Sequence, residues 1–307
     1  MLIIGSHVSF GKTQLLGATK EAISYGSNTF MFYTGAPTNT IRKEIEDNYT
    51  KQALVLMKDN SIDINNVVCH APYIVNLGNA SDPDKYNFSK EFIKKELQRC
   101  DEMGITKMVL HPGNAIGITS EEGIKNIANA LNDILDGTTK CLILLETMAG
   151  KGTECGRTTE ELASIINQVN NKEQLGVCLD TCHLNDSGYD IANFDKYLDE
   201  FDSLIGIDKI KCIHINDSKN DQGSHKDRHA NFGLGTLGFE TLMNVIYNER
   251  LKTIPKILET PYIGDTDDSK ERIYPPYKFE IEMIQRKEYN PNFLDEVRQY
   301  YQNNSKD

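Results

Sequence analysis

Nine side chains able to bind metal recur along this chain: His70, His111, Glu146, Asp180, His183, His214, Asp227, His229 and Glu259. Asp180 and His183 stand three residues apart in "LDTCH". Asp227 and His229 flank an arginine in "DRH", a spacing that lets both face one side of an extended loop. Imidazoles and carboxylates without paired thiolates select zinc, manganese or iron rather than a cysteine-rich structural zinc knot. One ion takes roughly four to six ligands, so this set points to several ions held together. Closely spaced divalent ions suit phosphoester hydrolysis, where they activate water and offset charge on the entering and leaving oxygens.

Such donors must be carried to one place by the fold. Eight short apolar runs alternate with helix-like segments: "MLIIGSH", "NTFMFYT", "NVVCHAPY", "KMVLHPGN", "CLILLETMAGKG", "GVCLDTCH", "IKCIHINDSK" and "PKILETPY". Several are almost continuously apolar, as parallel strands buried on both faces should be. Seven end in a potential ligand, namely His7, His70, His111, Glu146, Asp180, His214 and Glu259, while the second ends in Tyr33. Capping boxes at Thr119–Glu122 and Thr158–Glu161 open two amphipathic helices, the first stopped by Gly137. Phe88, Phe92, Ile93, Leu97, Cys100 and Met103 form a third apolar stripe ended by Gly104. This alternation predicts a closed (β/α)8 TIM barrel, an α/β fold, as a single domain over residues 1–307. The stretch after Pro275 would supply the last barrel helix and the final residues a flexible tail. No glycine-rich phosphate loop directly follows a strand, which argues against an open doubly wound sheet. In a barrel all strand C-termini open onto one face, so the donors converge on one rim.

The composition is that of a soluble globular chain: 307 residues, 39% hydrophobic and 25% charged. No apolar run approaches the roughly 20 residues needed to cross a bilayer, and the start lacks a signal-peptide pattern, so a cytoplasmic location and no membrane partner are expected. The seven cysteines are odd in number and lack a C-x-x-C pair, which suits buried thiols in a reducing compartment. Cys182, beside His183, reads as a packing residue rather than a redox or metal group. A formal net charge of -12 opposes nucleic-acid binding unless bound cations offset it at the rim.

The motifs "HAPY" at His70, "LHPG" at His111, "LETMAGKG" at Glu146, "DTCH" at Asp180, "HINDSK" at His214, "DRH" at Asp227 and "LETP" at Glu259 run in this order over nearly the whole chain. With "GSHVS" near the start and the glycines Gly233, Gly235 and Gly238, they resemble the endonuclease IV family of apurinic/apyrimidinic (AP) endonucleases. The resemblance implies a TIM barrel with three zinc ions that cleaves double-stranded DNA 5′ to an abasic site, leaving a 3′-hydroxyl and a 5′-deoxyribose phosphate. Trimming of 3′-blocked ends goes with it. It implies that His70, His111 and Glu146 hold one zinc, Glu146 (bridging), Asp180, His214 and Glu259 the second, and His183, Asp227 and His229 the third. Glu146 and Glu259 are then the catalytic carboxylates, Glu259 helping to position or deprotonate the attacking water. Tyr73 and Ile74 occupy the positions of residues that enter the duplex in relatives. Lys12, Lys151, Lys219, Lys226 and Arg228 lie in loops after strand ends and are candidates for phosphate contacts. The second loop, "YTGAPTNTIRK", departs from the pattern: where a branch of the family has an arginine that enters the base stack, this chain has Thr38, with Arg42 a few residues on. No obligate protein partner is evident, and a monomer is expected.

A rival enzyme class is the divalent-metal sugar isomerase or epimerase of the xylose isomerase-like barrel. Glu146, Asp180, His214 and Glu259 alone would suit it, leaving His70, His111, His183, Asp227 and His229 as surplus donors. A barrel that binds metal without turnover is a third reading, but loss of activity usually goes with missing ligands, and every ligand position is filled here.

Overall fold

The computed structural model of the chain describes residues 1–267 and 269–304. Eight parallel strands close into a barrel: β1 (Ile4–His7), β2 (Thr29–Phe32), β3 (Val68–His70), β4 (Lys107–Leu110), β5 (Leu142–Glu146), β6 (Leu175–Asp180), β7 (Ile210–His214) and β8 (Lys256–Leu258). Each pairs with its neighbours in sequence, and β1 closes the ring by pairing with β8 through Ile4↔Lys256 and Ser6↔Leu258. The predicted (β/α)8 barrel is therefore present, with strands shorter than the apolar runs because the ends of those runs turn into loops.

Strand alternation explains why these sequences build a site. Val68 and His70, Val109 and His111, Leu144 and Glu146, Cys178 and Asp180, Cys212 and His214, and Ile257 and Glu259 are spaced by two, so the members of each pair point to the same side. Met31, Val68, Val109, Leu144, Cys178, Cys212 and Ile257 form one fully buried cluster, one residue from each of seven strands. This apolar plug fills the barrel, and the polar residue two positions on stands above it at the C-terminal mouth. The intervening residues, including Ile143, Leu145, Val177 and Leu179, pack outward into the main core with the helices. At about 1.5–3 kcal/mol for each fully buried Leu or Ile side chain, reversing this alternation would be prohibitive. The register is thus fixed by hydrophobic burial, and the position of the donors follows from it.

The outer helices are α1 (Gln14–Ser24), α2 (Asp47–Asp59), α3 (Pro83–Met103), α4 (Ser120–Ile134), α5 (Thr159–Gln168), α6 (Thr181–Ser187), α7 (Phe194–Leu204), α8 (Gly238–Ile246), α9 (Tyr277–Arg286) and α10 (Phe293–Asn304). Thr119 and Glu122 form the expected reciprocal capping box on α4. At α5 only half the device forms. Thr158 accepts from the Glu161 amide, but the Glu161 carboxylate accepts instead from the amides of Gly156 and Arg157, bracing the loop that descends from β5. Gly104 ends α3 in the left-handed region, at φ 75°. Gly137 lies beyond the end of α4, whose C-cap is Leu135. Phe88 departs from its predicted stripe: it is 53% exposed and stacks on Phe92. The segment after Pro275 forms two helices, α9 and α10, rather than one. The last three residues of the expected flexible tail lie outside the described residues. No described helix is long and apolar enough to cross a membrane.

Candidate metal centre

All nine donors meet at the C-terminal mouth, and the Glu146 carboxylate lies among them. Its Oε2 is 3.1 Å from Nε2 of both His70 and His111, and its Oε1 is 3.1 Å from Nδ1 of His214 and 3.4 Å from Nδ1 of His183. His214 Nδ1 is also 2.9 Å from Glu259 Oε2 and 3.8 Å from Asp180 Oδ2. Asp227 Oδ1 lies 3.1 Å from Nε2 of His183 and 3.5 Å from Nε2 of His229. Donor atoms fall into groups within 4.8 Å of one another: His70, His111 and Glu146; Glu146, Asp180, His214 and Glu259; and Asp180, His183 and His229. Cys182, Asp227 and His229 form a further group of the same size.

The residues present suit cations. Buried Nε2 atoms of His214 and His229 have no hydrogen-bond partner, although such atoms are normally satisfied. Burial would raise Glu146 and Glu259, but the imidazoles override it. His214 and His111 hold Glu146 well below the usual carboxylate range, and His214 does the same for Glu259. Burial conversely opposes charge on His183 and His214, yet both are drawn well above the usual imidazole value, His183 by Asp180 and Asp227, His214 by Cys178, then Glu259 and Glu146. Packed acids this deep call for positive charge, and these groupings of donors could hold divalent cations that would supply it.

The floor and the open side of the site differ. Glu146, Asp180 and His214 are buried to 1% exposure or less, whereas the side chains of Glu259, His229, His111 and Asp227 are 17–30% exposed. The second set is thus the part of the site open to solvent.

Asp180 answers whether the strand end is a structural cap or a ligand by being able to serve as both. As N-cap of α6 its Oδ1 accepts from the His183 amide at 2.8 Å, while Oδ2 faces the other donors. Backbone carbonyls fix three imidazoles through their second nitrogens: Ala71 for His70 at 2.6 Å, Thr147 for His183 at 2.8 Å and Glu259 for His229 at 3.3 Å. His7, also at a strand end, joins none of these groups. It packs edge-on against Tyr33, and burial lowers its pKa to about 4. Cys182 is buried, which pushes its thiol well up and keeps it neutral.

Several residues essential to this geometry escape sequence reasoning. Asn216 donates to Asp180 Oδ2 at 2.7 Å and Glu259 Oε2 at 3.3 Å and accepts from the Glu259 amide, orienting two donors at once. Asp186, fully buried, accepts from Asn185 and Ser218 on Oδ1 and from Asn220 and the Asp227 amide on Oδ2. It thereby holds a loop in which His225 and Asp227 both have φ 54°, a conformation non-glycine residues adopt only when their surroundings impose it. The glycines of "GLGTLG" wrap a protein carboxylate. The amides of Gly235, Leu237 and Gly238 donate to Asp217, and a Cβ on Gly235 would collide with Asp217 and the Ser218 carbonyl. Asn216 and Asp217 sit within "HINDSK", but nothing in the pattern tells which polar residue faces inward.

Among the DNA-contact candidates, Tyr73 and Ile74 protrude, 51% and 43% exposed. Lys12, Lys151, Lys219, Lys226 and Arg228 are exposed. Arg42 is not available as a wedge. Its Nε pairs with buried Glu96 at 2.8 Å, its Nη1 donates to carbonyls of its own loop, and its side chain is 9% exposed. Thr38 is exposed, and Arg42 braces the loop that presents it.

The chain matches the xylose isomerase-like TIM barrel family over residues 19–283. It is 51% identical over 301 residues to a probable endonuclease 4 of Bacillus subtilis (strain 168), covering 97% of this chain and 100% of that protein. It is 49% identical to a probable endonuclease 4 of Enterococcus faecalis (strain ATCC 700802 / V583), covering 97% and 99%. The crystal structure of endonuclease IV from Thermus thermophilus is similar with a TM-score of 0.76 at 28% identity, over 95% of this chain and 99% of that chain. A D-tagatose 3-epimerase-like protein, at TM-score 0.65 and 17% identity over 96% and 99% of the two chains, shares the fold alone. With near-complete coverage at half identity, the chain belongs to the endonuclease IV family of xylose isomerase-like TIM barrels.

Proposed function

We propose that this protein is a zinc-dependent AP endonuclease of base excision repair, hydrolysing the phosphodiester 5′ to an abasic site to leave a 3′-hydroxyl. The observation that carries the reading is the Glu146 carboxylate, whose two oxygens serve different donor groups and so can bridge two ions. His70, His111 and Glu146 would hold one zinc; Glu146, Asp180, His214 and Glu259 a second; His183, Asp227 and His229 a third. Zinc in such sites lowers the pKa of bound water to about 7 and offsets negative charge on the reacting phosphate.

The chain's own residues do the rest. Asn216 fixes the Asp180 and Glu259 carboxylates, and Glu259, on the open side of the site, is placed to accept a proton from or orient the attacking water. Tyr73 and Ile74 offer an aromatic and an apolar surface to a duplex gapped by the missing base, where unstacking costs least. Lys12, Lys219, Lys226 and Arg228 supply phosphate contacts beside the cations, which together would halve the formal charge of -12. A sugar epimerase would need only the Glu146, Asp180, His214 and Glu259 group, leaving the His70/His111 pair and the Asp227 loop without purpose.

The test is incubation of purified protein with an abasic duplex without added magnesium, followed by analysis of product ends. A 3′-hydroxyl product lost on zinc chelation is expected. An unsaturated aldehyde end, or undiminished nicking by Glu146→Gln protein, would overturn the proposal.

A further inference from the structure

His214 is the exception among the buried imidazoles. His70, His183 and His229 each turn one nitrogen to a backbone carbonyl, but His214, at 0% exposure, has none: its Nδ1 faces Glu146 and Glu259, and its Nε2, like that of His229, has no hydrogen-bond partner. What lies beside it is sulfur. Cys178 and Cys212 sit at paired register positions on β6 and β7, two residues before Asp180 and His214, so both thiols point into the barrel beneath the donors. The two sulfurs and one ring nitrogen of His214 lie within 4.8 Å of one another, all buried. Neither cysteine is in a disulfide, and the Met31 thioether belongs to the same plug.

Two thiols and an imidazole differ in kind from the imidazole and carboxylate set above. Hard and borderline divalent ions prefer the upper set, while thiolate and thioether donors select soft cations such as copper(I). Three donors within this span can close on an ion by small side-chain movements. We propose that Cys178, Cys212 and His214 form a second, soft-metal site beneath the rim, selective for copper(I)-class thiophilic cations. Binding releases the two thiol protons to solvent. Where His214 Nδ1 is itself committed to a rim cation, Nε2 must also shed its proton to join, so the sulfur pair carries the ion first. The site does not depend on the nuclease reading, since it needs only the barrel register.

The experiment is anaerobic titration of the zinc-loaded protein with copper(I) against a chromophoric copper(I) chelator, following the near-ultraviolet thiolate-to-copper absorption. Cys178→Ser and Cys212→Val proteins are compared with Cys100→Ala, which alters the separate thiol group formed with Cys69 and Cys141. Near-ultraviolet circular dichroism checks that each variant is folded. The expected result is one copper per chain with the absorption band, unchanged in Cys100→Ala and weakened at least 100-fold in both other variants. Copper-edge anomalous diffraction of the unsubstituted protein should place the ion between the Cys178 and Cys212 sulfurs, whatever the variants do. A band that survives in Cys178→Ser and Cys212→Val, or an ion found at the rim or beside Cys100, would overturn the assignment.

Discussion

Replacing Asp186 by alanine removes an acceptor that touches no substrate yet holds one side of the site. Its carboxylate takes two donors on each oxygen: the Asn185 amide at 3.0 Å and the Ser218 hydroxyl at 2.6 Å on Oδ1, and the Asn220 amide and the Asp227 backbone amide, both at 2.9 Å, on Oδ2. A buried donor left without a partner costs about 1–3 kcal/mol. The three side-chain donors can turn or find water, but the Asp227 amide cannot, so the net loss should be about 1–3 kcal/mol. For a chain of this size that corresponds to a fall in Tm of roughly 2–5 °C. Freed from Asp186, Asp227 should relax from its positive φ and leave the His183–Asp227–His229 group, so about one metal equivalent is lost. Asp186→Asn should be milder, because its single oxygen can stay on the Asp227 amide while Ser218 turns to accept and Asn185 flips. Calorimetry, metal analysis and abasic-duplex nicking on both variants test this. Wild-type Tm and metal content in Asp186→Ala, or equal damage from both variants, would refute the reasoning.

Other outcomes follow from the same geometry. Glu280 is fully buried, with Thr260 and the Phe232 amide donating to it, and burial raises its pKa from 4.5 to about 7. The folded protein therefore keeps a proton that the unfolded chain releases. This group's contribution is greatest below pH 4.5 and falls by about 3 kcal/mol as pH rises to about 7, a slope that denaturant melts should find flattened in Glu280→Gln. Tyr73→Ala should weaken binding to an abasic duplex about 5- to 100-fold, measured by fluorescence anisotropy, with Tm unchanged, since base–aromatic stacking contributes about 1–3 kcal/mol per base. Ile74→Ala, which removes an apolar wedge, should weaken it by a smaller factor. Gly235→Ala should cost about 1–3 kcal/mol in thermal unfolding, because the new methyl group must displace Asp217 or the Ser218 carbonyl.

The sequence exposes the barrel and its donors for one physical reason: a strand buried on both faces reads as an apolar run, and a polar residue two positions past an inward apolar one must stand at the mouth. That rule reaches His70, His111, Glu146, Asp180, His214 and Glu259 directly. It also over-reaches at His7, which obeys the same spacing and packs against Tyr33. Asp186, Asn216, Asp217 and Glu280 stay hidden because most of their partners lie 18 to 48 residues away and nothing local marks a polar residue as buried. The capping motif at Thr158 shows a local pattern overruled by the loop it abuts, where the Gly156 and Arg157 amides compete successfully for Glu161. Arg42 shows that a charge in a loop can be a brace rather than a contact.

The most direct test of the central claim is zinc-edge anomalous diffraction from crystals of the purified protein. The account predicts three peaks at the barrel mouth, two of them on opposite oxygens of Glu146. A lone peak within the Glu146, Asp180, His214 and Glu259 group, or peaks that leave Glu146 unshared, would contradict it.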